Sequence, residues 1–272
     1  MELNSYIQPK AFEKSTVEEL EECFREINNV ISSPMIMKVS FQYNSNLLMS
    51  VQMGDGKTIV DRLYSLDMPD KQLQTRVIPK LLSMFPDTSN NFDDIEQLKE
   101  IYPDDLNSFW GIRFPVNKEY CLHSKEQCSE FIYKSLWGLM NATTFNWLYP
   151  ILIPNIVVAD SALSQIENLG SSNNFSIVIE DLKKLNDYCE NWTSGPFSLH
   201  DLKQTSAIDT TDESNTTKNK ENLKAYRRIE LKNIGHQYCY LHVKHGDYRL
   251  HYYPDDRNKR KHIGYVGPHL PT

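Results

Sequence analysis

The sequence opens without a basic stretch leading into an apolar core, and it contains no apolar run long enough for a bilayer and no internal repeat. Its longest apolar run, Trp147 to Ala159, is too short to span and is interrupted by Pro150 and Pro154. Neither secretion nor membrane residence is therefore expected, and MELNSYIQPKAFEKSTVEELEE reads as the start of a cytoplasmic protein. Cysteine is scarce and odd in number: Cys23, Cys121, Cys128, Cys189 and Cys239 are irregularly spaced and fit reduced thiols better than a disulfide framework. With 10 Gly and 13 Pro in 272 residues, a fibrous or fully disordered polymer is excluded. A hydrophobic fraction of 40% leaves room for one large or two modest domains.

Net charge is present but unevenly spread. The chain carries −7, yet residues 222–272 hold 10 Lys/Arg against 4 Asp/Glu, a balance of +6 that leaves −13 on the remainder. Seven of the eight histidines lie at or beyond His200. An acidic body with a basic, histidine-rich tail implies two parts with different partners, because imidazole titrates near neutrality and clustered cations attract phosphates.

Periodicity divides the chain accordingly. Residues 17–31 place Val17, Leu20, Cys23, Phe24, Ile27 and Val30 at helical spacing behind Ser15 and Thr16 as N-caps. IMKVSFQY and NLLMSVQM read as a hairpin across Asn44-Ser45-Asn46. Helical patterns follow at 57–65 and 71–84, the second with a kink or break expected at Pro79, and again at 126–148 and 175–192. The polar run 205–222 reads as a linker. The expectation is an α+β chain: a mostly helical acidic body over 1–200, a linker over 201–222, and a small antiparallel β-meander over 223–272.

Three motifs in the body carry little. Gly54-Asp55-Gly56-Lys57-Thr58 lacks the first glycine of a phosphate-binding loop, since Val51 stands there, so it reads as a turn before a helix. Cys121, His123 and Cys128 lack a second ligand pair for a metal site. The acids at 93–105 read as a solvated face, or as a mask for the basic tail.

The tail is more informative. Gln237 to Lys244 alternates, with Cys239, Leu241 and Val243 on one side and Tyr238, Tyr240, His242 and Lys244 on the other. The alternation resumes after a turn at His245-Gly246, which pairs Val243 with Tyr248 and sets His242 opposite Arg249 and Tyr240 opposite His251. His262 to Val266 gives a third strand and Arg227 to Leu231 a fourth. One face then carries His242, Lys244, Arg249, His251 and Tyr253. Metal-independent RNA cleavage needs a base for the 2′-hydroxyl, cations for the phosphorus oxygens and an acid for the leaving oxygen, and this face offers each type. Arg257, Lys259, Arg260 and Lys261 would track an RNA backbone.

The run HVKHGDYRLHYYPDDRNKRKHIGYVGPHL resembles the C-terminal meander of RelE/HigB-type ribonuclease toxins, in which a G-x-Y-R-h-x-Y strand precedes a turn and a strand ending in glycine. Gly246, Tyr248, Arg249, Tyr252 and Gly264 carry the match, and His269 stands near the place of a late catalytic histidine. More loosely, the whole chain resembles uncharacterised bacterial proteins of phage defence. The resemblance implies a toxin-like or anti-phage endoribonuclease, with Arg249 and His269 in its site; the polar face adds His242, Lys244, His251 and Tyr253 as candidate catalytic residues. The resemblance implies no cofactor and no membrane, with RNA (ribosome-associated mRNA included) and an operon-encoded protein as partners. The alternative is a non-catalytic nucleic-acid-binding or protein-docking subunit. Zinc held by His242, His251 and His269 is a third option whose spacing fits no recognised signature.

Overall fold

β-Strands and helices alternate through the first half of the chain, and the strands pair in parallel, as alternation of this kind favours. The computed structural model describes all residues except Leu66 and Asp67, and all side chains of those residues except that of Leu47. The chain divides into two units, 1–135 and 136–272. Among the described residues, no helix is long and apolar enough to cross a membrane.

The first unit is built on β1 (Leu3–Ile7), β2 (Val39–Gln42), β3 (Leu106–Trp110) and β4 (Cys121–Leu122), all parallel, in the order β2-β1-β3-β4. Helix α1 (Val17–Ser32) joins β1 to β2 and begins with a capping box in which Thr16 and Glu19 exchange side-chain and backbone hydrogen bonds. The parallel sheet is a correction to the mostly helical body expected here. The hairpin expected over 36–53 is also absent. Residues Ser45–Ser50 form helix α2, with Asp87 accepting from the Ser45 amide and hydroxyl, and Leu-Leu-Met favours that conformation. Helix α3 (Ile59–Tyr64) starts at Thr58, so Gly54 to Thr58 is a turn leading into a helix. The pattern at 71–84 stays helical through Pro79 because a π-helical stretch, Leu73–Val77, widens the helix just before α4 (Ile78–Met84), where proline's missing amide costs no bond. Helix α5 (Ile95–Ile101) is capped by Asp94, Asp93 pairs with Lys10, and Asp105 accepts from the Glu2 amide and Asn4, so much of the acidic stretch serves local structure.

The division between units falls within α6 (Lys125–Gly138), well ahead of the boundary expected at 200–222. Asn141 ends the helical pattern expected over 126–148 by accepting from the amides of Thr143 and Thr144, and α7 (Phe145–Leu152) starts afresh. The second unit holds a five-stranded sheet in the order β5-β11-β10-β9-β6. Its strands are β5 (Ile156–Val158), β6 (Thr210–Asp212), β9 (Leu241–His245), β10 (Tyr248–Asp255) and β11 (Arg260–Pro268). The meander β9-β10-β11 is antiparallel as expected, but β5 joins it in parallel, so the sheet is mixed. A separate hairpin pairs β7 (Arg228–Leu231) with β8 (Gly235–Tyr238). Helices α8 (Asp160–Glu167), α9 (Asn173–Asn191) and α10 (Leu199–Ser206) follow β5, and the core unites Phe175, Val178, Leu182 and Leu185 of α9 with Val243, Leu250, Tyr252 and Ile263 of the sheet. Residues 136–200 therefore complete the tail rather than the body. The supposed linker is ordered as well: it supplies β6 at the sheet edge and the short helices α11 (Asn215–Asn219) and α12 (Glu221–Lys224). All five cysteines are buried free thiols.

Candidate functional site

The site grows from the β9–β10 hairpin. Its two-residue turn is Gly246-Asp247, with Gly246 at φ +54, a conformation glycine adopts without strain. The turn thus lies one residue beyond the expected His245-Gly246, which moves the pairing by two residues and keeps His242, Lys244, Arg249 and His251 on one face. His242 now stands opposite His251, and Lys244 opposite Arg249. The long strand expected over 237–244 breaks at Cys239-Tyr240, where the Cys239 amide turns to the Arg227 carbonyl, so Tyr240 and Tyr238 do not pair with β10.

His242 and His251 are buried, at 6% and 1% exposure, rather than displayed to solvent. Their ring centroids are 5.0 Å apart, and Tyr265 of β11 meets His251 edge-on at 5.7 Å. The His251 Nδ1–H donates to the Cys239 carbonyl at 3.1 Å, which leaves the lone pair on Nε2. Burial pushes the His251 imidazole down to about 3, so the ring is neutral at physiological pH. Burial also lowers His242, against the pull of Glu213, and its Nε2 meets the Thr211 hydroxyl at 3.1 Å. The remaining nitrogens, His251 Nε2 and His242 Nδ1, have no hydrogen-bond partner among the described residues.

Two further groups complete the cluster. Glu213, just beyond β6, brings Oε1 to 3.8 Å from His242 Nδ1. Arg227 is 0% exposed; its Nε donates to Glu213 Oε1 at 2.8 Å, and its Nη1 donates to the carbonyls of Leu223 at 3.0 Å and Pro271 at 2.8 Å. Neither was legible in the sequence. Glu213 lies in a run that reads as solvated, and alternation in AYRRIEL does not tell which arginine turns inward. Ligand atoms of Glu213, His242 and His251 lie within 4.8 Å of one another, a donor set suited to a zinc-class cation. The Arg227 guanidinium, however, already engages Glu213 and adds positive charge at the same point, which disfavours a divalent cation there.

The other expected residues divide. Lys244 and Arg249 are half-buried beside the histidine pair, and the Arg249 Nη1 folds back to the carbonyls of Gly246 and Tyr248. His269 is exposed, its amide bonded to the Asp247 carbonyl and its Nδ1 2.6 Å from the Leu270 carbonyl oxygen. Tyr253 stands opposite His262 and packs against the hydrophobic core, apart from the pair. Of the basic turn, Arg257 and Arg260 point outward. Lys259 covers Trp192 at 4.5 Å and bonds the Gly195 carbonyl, while Lys261 is fully buried with Nζ 3.7 Å from the Phe197 ring centre and 4.2 Å from that of Trp192. The four-cation track expected for RNA is corrected to two outward arginines, because alternation along β11 turns Lys261 into the core and aromatic rings draw in Lys259.

Gly264 sits at the irregularity where β10 and β11 shift register between His251 and Tyr252. A Cβ there would lie 2.7 Å from Ile229 Cδ1 and 2.8 Å from Cys239 Sγ, so the β7–β8 hairpin packs against bare backbone. No family model matches the chain, and no curated protein or solved structure matches it either. Fold and site together define a two-unit chain of mixed α and β structure with a buried His-His-Glu-Arg cluster in its second unit.

Proposed function

We propose that residues 136–272 act as a metal-independent endoribonuclease module, the reading implied by the resemblance to RelE/HigB-type toxins. The observation that carries it is the β9–β10 register, which sets His242 against His251 and Lys244 against Arg249 on one face. With Nδ1 committed to a carbonyl, the His251 Nε2 carries the lone pair that takes the proton of an RNA 2′-hydroxyl once the ring is freed from the burial that depresses its basicity. The 2′-oxygen then forms a bond to phosphorus as the bond from phosphorus to the 5′-oxygen breaks. His269 gives its proton to the departing oxygen, and Arg249 and Lys244 stabilise the charge on the phosphoryl oxygens. The products are a 2′,3′-cyclic phosphate and a 5′-hydroxyl. A setting in toxin action or phage defence, with an operon-encoded partner, rests on the resemblance alone.

Incubation of the full chain with end-labelled RNA or a translation extract tests this. Arg249→Ala and His251→Ala, each confirmed folded by circular dichroism, should abolish cleavage; wild-type rates in both would sink the assignment. The burial of His251 favours a second reading, a non-catalytic nucleic-acid-binding module. In that case RNA binding survives His251→Ala and weakens steeply with salt, with no cleavage by any variant.

A further inference from the structure

The histidine pair is sealed by a segment that the core does little to hold. Residues 213–227 fold as α11, α12 and a single 3-10 turn, Ala225–Arg227, each far shorter than a helix stable by itself. From α11 to Arg227, only Thr217, Leu223 and Arg227 are buried. Arg227 is the fully buried charged anchor; nearer the surface the Glu213 amide bonds the Tyr240 carbonyl, and Lys218 and Lys224 lie over the Tyr240 and Tyr238 rings. Arg227 ties the segment to Glu213, to the Leu223 carbonyl and to Pro271, and its own carbonyl receives the Cys239 amide at 2.8 Å. Glu213, in turn, places a carboxylate beside His242 and against a guanidinium, the surroundings that a phosphodiester would want.

We propose that residues 213–227 are an autoinhibitory lid, latched by Arg227, in which the Glu213 carboxylate occupies the place of the substrate phosphate. The inference rests on the ribonuclease reading for its consequence, though the closure itself is a separate matter. Opening the lid uncovers His251 Nε2 and His242 Nδ1 while the five-stranded sheet persists, because segments with few buried contacts open at lower free energy than the core. An RNA phosphate entering the site displaces Glu213 and gains Lys244 and Arg249.

Diethyl pyrocarbonate labelling of His251, read by mass spectrometry on the full chain, measures closure without reference to activity. Arg227→Ala and the isosteric Glu213→Gln should raise the labelling rate at least tenfold, and RNA cleavage should rise with it. Labelling that stays at the wild-type rate in both folded variants overturns the lid. Labelling that rises while RNA stays intact upholds the lid and defeats the ribonuclease reading. Wild-type protein gives an arm free of any folding defect: the Cys239 amide, bonded to the latch, should exchange with deuterium at least a hundredfold faster than the paired amides of β9 and β10. Equal exchange at all of them, through global unfolding only, overturns the proposal.

Discussion

His242 and His251 face each other across two paired strands, ring centroids 5.0 Å apart, each with one nitrogen tied to a neighbour and the other without a hydrogen bond among the described residues. Such an arrangement holds both rings neutral, and it links the site to pH.

His251 titrates near 3 when folded against 6.5 as an ordinary imidazole. The unfolded chain therefore binds more protons between those values, so the stability contributed by the neutral ring is complete above about pH 6.5 and is lost as pH falls towards 3. Urea midpoints of wild type and His251→Gln, compared from pH 7 to pH 4, should converge on acidification as the wild type loses more. A constant difference across that range would show that His251 titrates normally.

Lys261 sits among Tyr188, Trp192 and Phe197, and burial lowers it to about 7 from 10.5. The sign is that of a depressed base: stability rises as pH climbs from about 7 to 10.5, where the unfolded chain still holds the proton and the folded chain has released it. Lys261→Met keeps the aromatic packing without a charge to desolvate. It should stabilise the second unit at pH 7 by about 1 kcal/mol or more and flatten the rise above pH 7, both measurable by urea titration at several pH values.

RNA affinity should separate the outward from the inward cations of the β10–β11 turn. Arg257→Ala combined with Arg260→Ala is expected to weaken binding about tenfold and to lower the slope of log affinity against log salt by about 1.4, while Lys261→Met changes neither. Fluorescence anisotropy with a labelled single strand over 50–300 mM salt decides it.

Gly264→Ala puts a methyl into the tight approach of Ile229 and Cys239. The cost should be about 1–3 kcal/mol, since flexible side-chain ends must move aside, and the companion change Ile229→Val should recover part of it. Independent effects in a double-mutant cycle would mean that the hairpin does not pack there.

Periodicity located those elements whose own residues choose their shape. The spacing from Val17 to Val30 and the Thr16 cap announce α1, Phe175 to Cys189 announces α9, and the alternation around Leu241 to Tyr252 announces the hairpin together with the residues sharing its polar face. What escaped depends on partners distant in the chain. LNSYI and LNSFW pair with each other across a hundred residues, and neither alternates clearly because burial on both faces erases the period. Polar residues 205–222 looked unable to order themselves, yet Thr210 bonds the His242 carbonyl and the Tyr252 hydroxyl, so the sheet edge orders them. The exposed face expected for the histidines is buried for the same reason: its cover comes from a segment whose composition reads as solvent-loving.

The pairing of β5 with β11 has a consequence for synthesis. Ile156 to Val158 leave the ribosome about a hundred residues before Lys261 to Ile263, their only neighbours in the sheet among the described strands. Until then β5 keeps one apolar edge open, and β9 and β10 lack the strand that fixes Tyr265 against His251. A nascent chain therefore carries every helix of this unit before β11 can close β5 into the sheet and set Tyr265 against His251.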